Sequence, residues 1–293
     1  FNTFGKMGID VSFVDATSVD AVAEAVTENT RLVFVETIAN PRTQIADLQQ
    51  IGEFCAQRGL VYVVDNTMTS PYLFQPKSVG ASLIINSLTK YIGGHGNVLG
   101  GAVTETGRYD WSVFTNIYSE YQRGEPAKWG ITQIRKKGLR DLGASLGPEA
   151  AHHVAIGAET LALRVQRQSE NAMAMCEFLH AHPKIKKVYY PGLAEHPQHA
   201  RAGELFRAFG GLFSFELQSD VDLWEFLNRL QVIVKSSNLG DNRTLAIPVA
   251  HTIYFEMGPE RRASMGIDES LIRISSGIED SEDLLADLST ALN

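Results

Sequence analysis

At 293 residues, with 44% apolar and 20% charged side chains, the chain is long enough for one large globular domain or, more naturally, two. A net charge of −8 without any basic block argues against nucleic acid and anionic membrane as partners, and no apolar run approaches the ~18 residues of a membrane span. Two distant cysteines, Cys55 and Cys176, outside any CxxC spacing, argue against a disulfide framework or a zinc site and fit a reducing cytoplasm.

Phe1 is not an initiator Met, and the opening stretch carries no signal-peptide pattern. It reads as the middle of a domain, so a preceding segment is expected in the natural protein. Short apolar runs then alternate with amphipathic stretches. Strands are expected at Val11–Val14, Leu32–Glu36, Leu60–Asp65 and Ser82–Asn86, and helices near Val19–Glu28 and Asp47–Arg58, the latter closed by Gly59. Apolar strands separated by helix-length segments predict βαβ units and a mostly parallel sheet. Ligands gather at the carboxyl ends of such strands. Asn40, Asp65 and Ser87 fall at or just past three of them.

From about Tyr109 to Gly147 the pattern is helical with Gly-rich breaks, and Pro148–Ala181 predicts one long helix that bridges two domains. Beyond Pro183 the texture is α+β, with strands near Lys186–Tyr190, Gly211–Glu216 and Leu271–Ser275 and helices near Val221–Leu230 and Ser281–Leu292. The expected division is a larger α/β domain over residues 1–145 and a smaller α+β domain over 146–293.

The densest chemical signal is Ser87-Leu88-Thr89-Lys90-Tyr91-Ile92-Gly93-Gly94-His95-Gly96. A surface turn with a solvated lysine is the bland explanation. Two other residues count against it. Asp65 ends the apolar strand Val-Tyr-Val-Val, where an unpaired carboxylate is costly. An Asx turn would explain it. So would pyridoxal phosphate (PLP) chemistry, which needs a carboxylate to keep the pyridine nitrogen protonated. Hydroxyl-x-hydroxyl-Lys follows 25 residues later. Arg273, inside Leu-Ile-Arg-Ile-Ser, needs an anion to face: either an edge-strand partner such as Glu279 or Asp280, or the α-carboxylate of an amino acid.

These motifs, with Val-Glu-Thr-Ile-Ala-Asn-Pro (35–41), Val-Asp-Asn-Thr-Met-Thr-Ser-Pro-Tyr (64–72), Lys137-Gly138-Leu139-Arg140-Asp141, Tyr190-Pro191-Gly192-Leu193, Asn238-Leu239-Gly240-Asp241 and Leu271–Asp280, run in order through nearly the whole chain. In them the sequence resembles the Cys/Met-metabolism branch of the fold-type I PLP-dependent enzymes: cystathionine γ-synthase, cystathionine lyases, methionine γ-lyase and O-acetylhomoserine sulfhydrylase. The resemblance implies a PLP-binding large domain and a cytoplasmic homo-oligomer, a dimer of dimers. It implies that Lys90 carries the cofactor covalently and moves the substrate protons. Asp65 would pair with the pyridine nitrogen, and Ser87 and Thr89 would contact the phosphate. Asn40 would lie by the phenolic oxygen and the substrate carboxylate, Arg273 would hold that carboxylate, and Asn238 would contact the substrate backbone. His95 shapes the turn rather than doing chemistry, and no metal is implied.

The implied reaction is elimination or replacement at the γ-carbon of a homoserine ester, methionine, homocysteine, cystathionine or a canavanine-like amino acid. A cystathionine β-lyase and a truncated relative without activity are the alternatives. A nucleotide-binding loop at Gly93–Gly101 fails on spacing and on the apolar Val98–Val103 that follows it. Departures from the family, His95-Gly96-Asn97 and Ile247-Pro248-Val249-Ala250-His251-Thr252-Ile253, make any single member's substrate unsafe to borrow. The family's leading segment, with its Gly-rich phosphate turn, ring-stacking Tyr and cross-subunit Tyr-x-Arg, has no counterpart here. The chain by itself is therefore expected in a cofactor-free form, with Lys90 unmodified and Ser119–Lys128 loosely held.

Overall fold

The computed structural model describes residues 4–293; Phe1, on which the expectation of a preceding segment turns, lies outside them. Helix α1 (Val19–Ala25) leads to β1 (Leu32–Glu36). Helix α2 (Leu48–Arg58) starts where the Asp47 carboxylate accepts from the Gln50 amide, and stops at Gly59 in the left-handed region, φ 65°. Strand β2 (Val61–Asp65), the short helix α3 (Ser70–Leu73) and β3 (Leu83–Ser87) follow. The strands β1, β2 and β3 are parallel and adjacent, and β4 (Gly101–Glu105) closes the sheet antiparallel to β3.

Both faces of β2 are covered. Tyr62 and Val64 pack with Leu48, Ile51 and Cys55 of α2, while Val61 and Val63 pack with Leu83, Trp111 and Ile117. That is why the strand reads as an unbroken apolar run. Among the described residues, Val11–Val14 joins no sheet.

Helix α4 (Trp129–Gln133) continues into a wider turn at Ile134–Asp141. The single long helix expected over Pro148–Ala181 is two helices, α5 (Pro148–Glu159) and α6 (Leu161–His180). At the junction the Arg164 guanidinium donates to the Gly157 carbonyl at 2.6 Å, and the Thr160 amide closes a tight turn onto the same carbonyl at 3.4 Å. Arg164 also donates to the Tyr91 and Ile92 carbonyls, at 2.8 and 3.3 Å. One side chain thus ties the helix junction to the turn that carries Lys90.

The remainder comprises β5 (Ile185–Tyr189), α7 (His199–Leu205), β6 (Leu212–Leu217), α8 (Leu223–Arg229), β7 (Val234–Lys235), β8 (Leu245–Pro248), α9 (Pro259–Ser264), β9 (Leu271–Ser275) and α10 (Ser281–Leu292). Its sheet runs β5-β6-β9-β8-β7, antiparallel except for β7 beside β8. Phe213, Phe215, Ile272 and Ile274 form its core with Met175 and Leu179 of α6 and Leu284 and Leu288 of α10. Full burial of each such side chain contributes roughly 1.5–3 kcal/mol.

Candidate active site

Parallel pairing brings the carboxyl ends of β1, β2 and β3 together, with Glu36 opposite Asp65. Asp65 Oδ1 accepts from the Thr67 amide at 2.9 Å, an Asx turn. Behind it the fully buried Asn66 donates to the Phe74 carbonyl at 3.0 Å and accepts from Thr69 Oγ1 at 2.6 Å. The Thr69 hydroxyl also meets that of Thr37, at 3.0 Å. Burial, and next the charge of Asp65, raise the Glu36 carboxyl above the usual range.

Lys90 sits in the one-turn element Leu88–Ile92 directly after β3. The Leu88 and Thr89 amides both donate to the Gly100 carbonyl, at 2.9 and 3.3 Å, and Thr89 Oγ1 accepts from the Gly100 amide at 3.0 Å. The Ser87 amide donates to Thr67 Oγ1 at 2.8 Å, joining the Asp65 turn to the lysine turn. His95 Nδ1 lies 2.7 Å from the Gly93 carbonyl, inside the same turn. Gly240, at φ 70°, backs onto it: a Cβ there would lie 2.6 Å from the Tyr91 nitrogen. Only glycine satisfies both the conformation and the approach.

The Lys90 amine donates to Asn238 Oδ1 at 2.7 Å. Burial, and then the positive charge of Arg273, lower it below the ordinary lysine range. Arg273 is 2% exposed. Its guanidinium donates to Asn40 Oδ1 at 3.2 Å, to the Ser237 carbonyl at 2.9 Å and to the Asn238 carbonyl at 3.1 Å, while its Nε is buried without a partner. Burial pushes it down to about 10.

The edge-strand pairing weighed for Arg273 does not form. Glu279 binds the Thr244 amide and hydroxyl, at 2.6 and 2.8 Å, and Asp280 caps α10 at the Glu282 amide. Strand β9 lies between β6 and β8, so Arg273 is internal and, among the described residues, faces no carboxylate. A buried cation held only by neutral acceptors is a poised anion site.

The residues singled out from sequence thus fall into two linked groups. Asn40, Lys90, Asn238 and Arg273 form one hydrogen-bonded set; Asp65 and Ser87 are joined to it through Thr67 and the lysine turn. Sequence reasoning missed three participants. Arg164 holds the lysine turn through its carbonyls, the Tyr254 hydroxyl donates to the Asn40 carbonyl at 3.0 Å, and Asn66 braces the Asp65 turn. Only Asn66 left a sequence signal, in Asp-Asn-Thr-Met-Thr. The Gly93–Gly101 loop runs into β4 rather than a helix, which removes the nucleotide-binding alternative.

The donor set fits PLP on its own chemistry: an amine lowered by burial, a strand-end carboxylate and adjacent hydroxyls stand at the carboxyl ends of the parallel strands, and Arg273, buried on β9 with no carboxylate partner among the described residues, joins the amine through Asn238. This architecture is that of a fold-type I PLP-dependent enzyme. The model of the Cys/Met metabolism PLP-dependent enzyme family matches residues 1–293. The chain is 38% identical over 290 residues to an L-methionine gamma-lyase of Fusobacterium nucleatum subsp. polymorphum, covering 98% of this chain and 68% of that protein. It is 34% identical to an O-acetyl-L-homoserine sulfhydrylase of Leptospira meyeri, covering 99% and 70%. Among solved structures, a Campylobacter jejuni protein assigned as an O-acetylhomoserine (thiol)-lyase superposes with a TM-score of 0.90 at 33% identity, over 99% of this chain and 72% of that one; it contains a pyridoxyl-lysine. The chain belongs to the Cys/Met metabolism PLP-dependent enzyme family.

Proposed function

We propose that the enzyme catalyses γ-elimination or γ-replacement on an amino acid bearing a leaving group at its γ-carbon, within sulfur amino-acid metabolism. The observation that carries this reading is the Lys90–Asn238–Arg273–Asn40 set: an amine within the field of a buried arginine that has no carboxylate partner among the described residues. In it Lys90 would hold PLP, with Asp65 at the pyridine nitrogen, Ser87 and Thr89 toward the phosphate and Asn40 beside the phenolic oxygen. When bound, PLP supplies a sink for the electron pair released at the substrate's Cα.

The side chains of this chain do the rest. Arg273 orients the substrate through a two-pronged bond to the α-carboxylate, giving up neutral acceptors for a charged one. Asn40 and Asn238, both already bonded to this group, fix the carboxylate end beside the lysine. Burial and the charge of Arg273 lower the Lys90 amine, a direction that favours the free base which would take a proton from Cα and then from Cβ. Asp65, held by the Thr67 amide, would be the carboxylate that keeps the pyridine nitrogen of bound PLP protonated.

The substrate class follows that of the named relatives: homoserine esters, methionine or homocysteine, with cystathionine and canavanine-like amino acids as further candidates. We also propose a cytoplasmic homo-oligomer, a dimer of dimers. Cys55 and Cys176 are buried and unpaired, as a reducing compartment allows. No described helix is long and apolar enough to cross a membrane.

The test is a product screen of the PLP-loaded protein against those substrates, with and without added thiol. A 2-oxo acid and ammonia mark elimination, and a new thioether or homocysteine marks replacement. Pyruvate from cystathionine, with no γ-cleavage of any substrate, would mark a β-lyase and overturn the proposal.

A further inference from the structure

Away from the active site, a groove of about 330 Å³ lies between β5, the end of α6 and the segments 42–44 and 193–198. Its walls carry Arg42, Lys187, Tyr189, His196 and Gln198. Arg42 and Lys187 set their cationic groups against the same Tyr189 ring, 5.0 and 4.8 Å from its centroid. Among the described residues neither cation has a carboxylate within ion-pair distance. The nearby acidic groups are already committed: Glu216 and Asp268 both pair with Lys186 at 2.9 Å, and Glu216 also accepts from the Tyr189 hydroxyl at 2.6 Å. Glu195, on the groove's wall, is exposed and screened by water.

Two further features mark unspent binding capacity. Arg42 Nε and Gln198 Oε1 are enclosed without a hydrogen-bond partner. His196 is pushed down to about 4 by burial, then by the charges of His199 and Lys187, so that its imidazole is neutral at physiological pH. Arg42 donates to the Met265 carbonyl at 3.2 Å, a neutral acceptor, so among the described residues the positive potential of the two cations has no paired carboxylate. An anion in the groove beside the Tyr189 ring would gain charge-assisted hydrogen bonds from these cations. A volume of about 330 Å³ lies at the small end of ligand pockets, the size of a metabolite rather than a peptide.

We propose that this groove binds a small, multiply charged oxyanion, a phosphate ester or a polycarboxylate, through Arg42 and Lys187. The ligand is recognised by charge and by the planar arginine fork, with Gln198 and His196 as neutral hydrogen-bonding groups at its side. None of the active-site residues takes part, so the site and the proposed reaction stand or fall separately.

The test is calorimetric titration of the PLP-loaded protein with inorganic pyrophosphate and, in a separate arm, with citrate. The cofactor fills the other phosphate site during the measurement. Saturable binding of one probe per chain is expected, falling as salt rises. Lys187→Met should weaken it about 10-fold or more, the loss of one charged hydrogen bond, and Arg42→Gln with Lys187→Met should weaken it further. Lys187 is exposed on its strand, so the single variant tests the site without disturbing the core. Response to pyrophosphate alone assigns a phosphate ester, to citrate alone a polycarboxylate, and to both the shared oxyanion chemistry. Saturable binding that is equal in wild type and both variants would place the site elsewhere and overturn the proposal, as would no saturable binding of either probe.

Discussion

Arg273→Lys keeps a positive charge in the same strand and is, on charge alone, conservative. The structure says otherwise. The guanidinium spans three acceptors at 2.9 to 3.2 Å, on Asn40, Ser237 and Asn238, and an ammonium on a narrower head cannot reach all of them while also gripping a carboxylate. A charge-assisted hydrogen bond contributes about 1.5–3 kcal/mol, so losing one prong toward the substrate should lower kcat/KM roughly 10- to 150-fold. The two loop carbonyls left without their donor add a stability cost of about 1–3 kcal/mol each if they stay dry. Steady-state kinetics on several amino acids with different side chains provide the assay. Because the α-carboxylate is common to all, the loss should be similar for each substrate. An unchanged kcat/KM, or a loss confined to one side chain, would show that the carboxylate is held elsewhere.

Replacing Asp65 with Asn should slow turnover by roughly 100-fold or more, within the range of a lost acid–base partner; a rate within a few-fold of wild type would remove Asp65 from the pyridine nitrogen. Because Lys90 is lowered by burial and by Arg273, its cofactor-free amine should become reactive toward acetic anhydride at a lower pH than the ~10.4 of free lysine, and Arg273→Met should move that midpoint upward. Peptide mass spectrometry follows this, and a midpoint at or above the free-lysine value contradicts the geometry. Gly240→Ala should lower Tm, since a left-handed alanine costs about 1–2 kcal/mol and its Cβ would press on the Tyr91 nitrogen; an unchanged Tm would mean that the lysine turn is not backed by Gly240.

Legibility in the sequence followed the physics of each element. Strand β2 was readable because an apolar run with continuous burial has few other uses, β1 and β3 because their short apolar runs stand between helix-length segments even though β1 is largely exposed, and α2 because Asp47 and Gly59 mark its ends. Strand β4 was not assigned as a strand: the apolar run Val98–Val103 overlaps its start, but the strand is mostly exposed and pairs only on one side. The break between α5 and α6 left no Pro or Gly signal at Thr160, and the arginine that bonds across it reaches the Tyr91 carbonyl 73 positions away. In the site, Lys90, Asp65 and Arg273 stood out as charges placed among apolar residues. Tyr254 did not, since its role is a bond to the Asn40 main chain, and a main-chain acceptor has no residue type to recognise.

The central claim is that Lys90 is the residue that bears PLP, and covalent trapping tests it most directly. The protein is loaded with PLP, reduced with borohydride, digested and mapped by mass spectrometry. A pyridoxyl group is expected on the peptide containing Lys90, at close to one per chain, and none should be trapped in Lys90→Ala. A pyridoxyl group on any other lysine, or equal trapping in the variant, would contradict the assignment and with it the site built around Asn238 and Arg273.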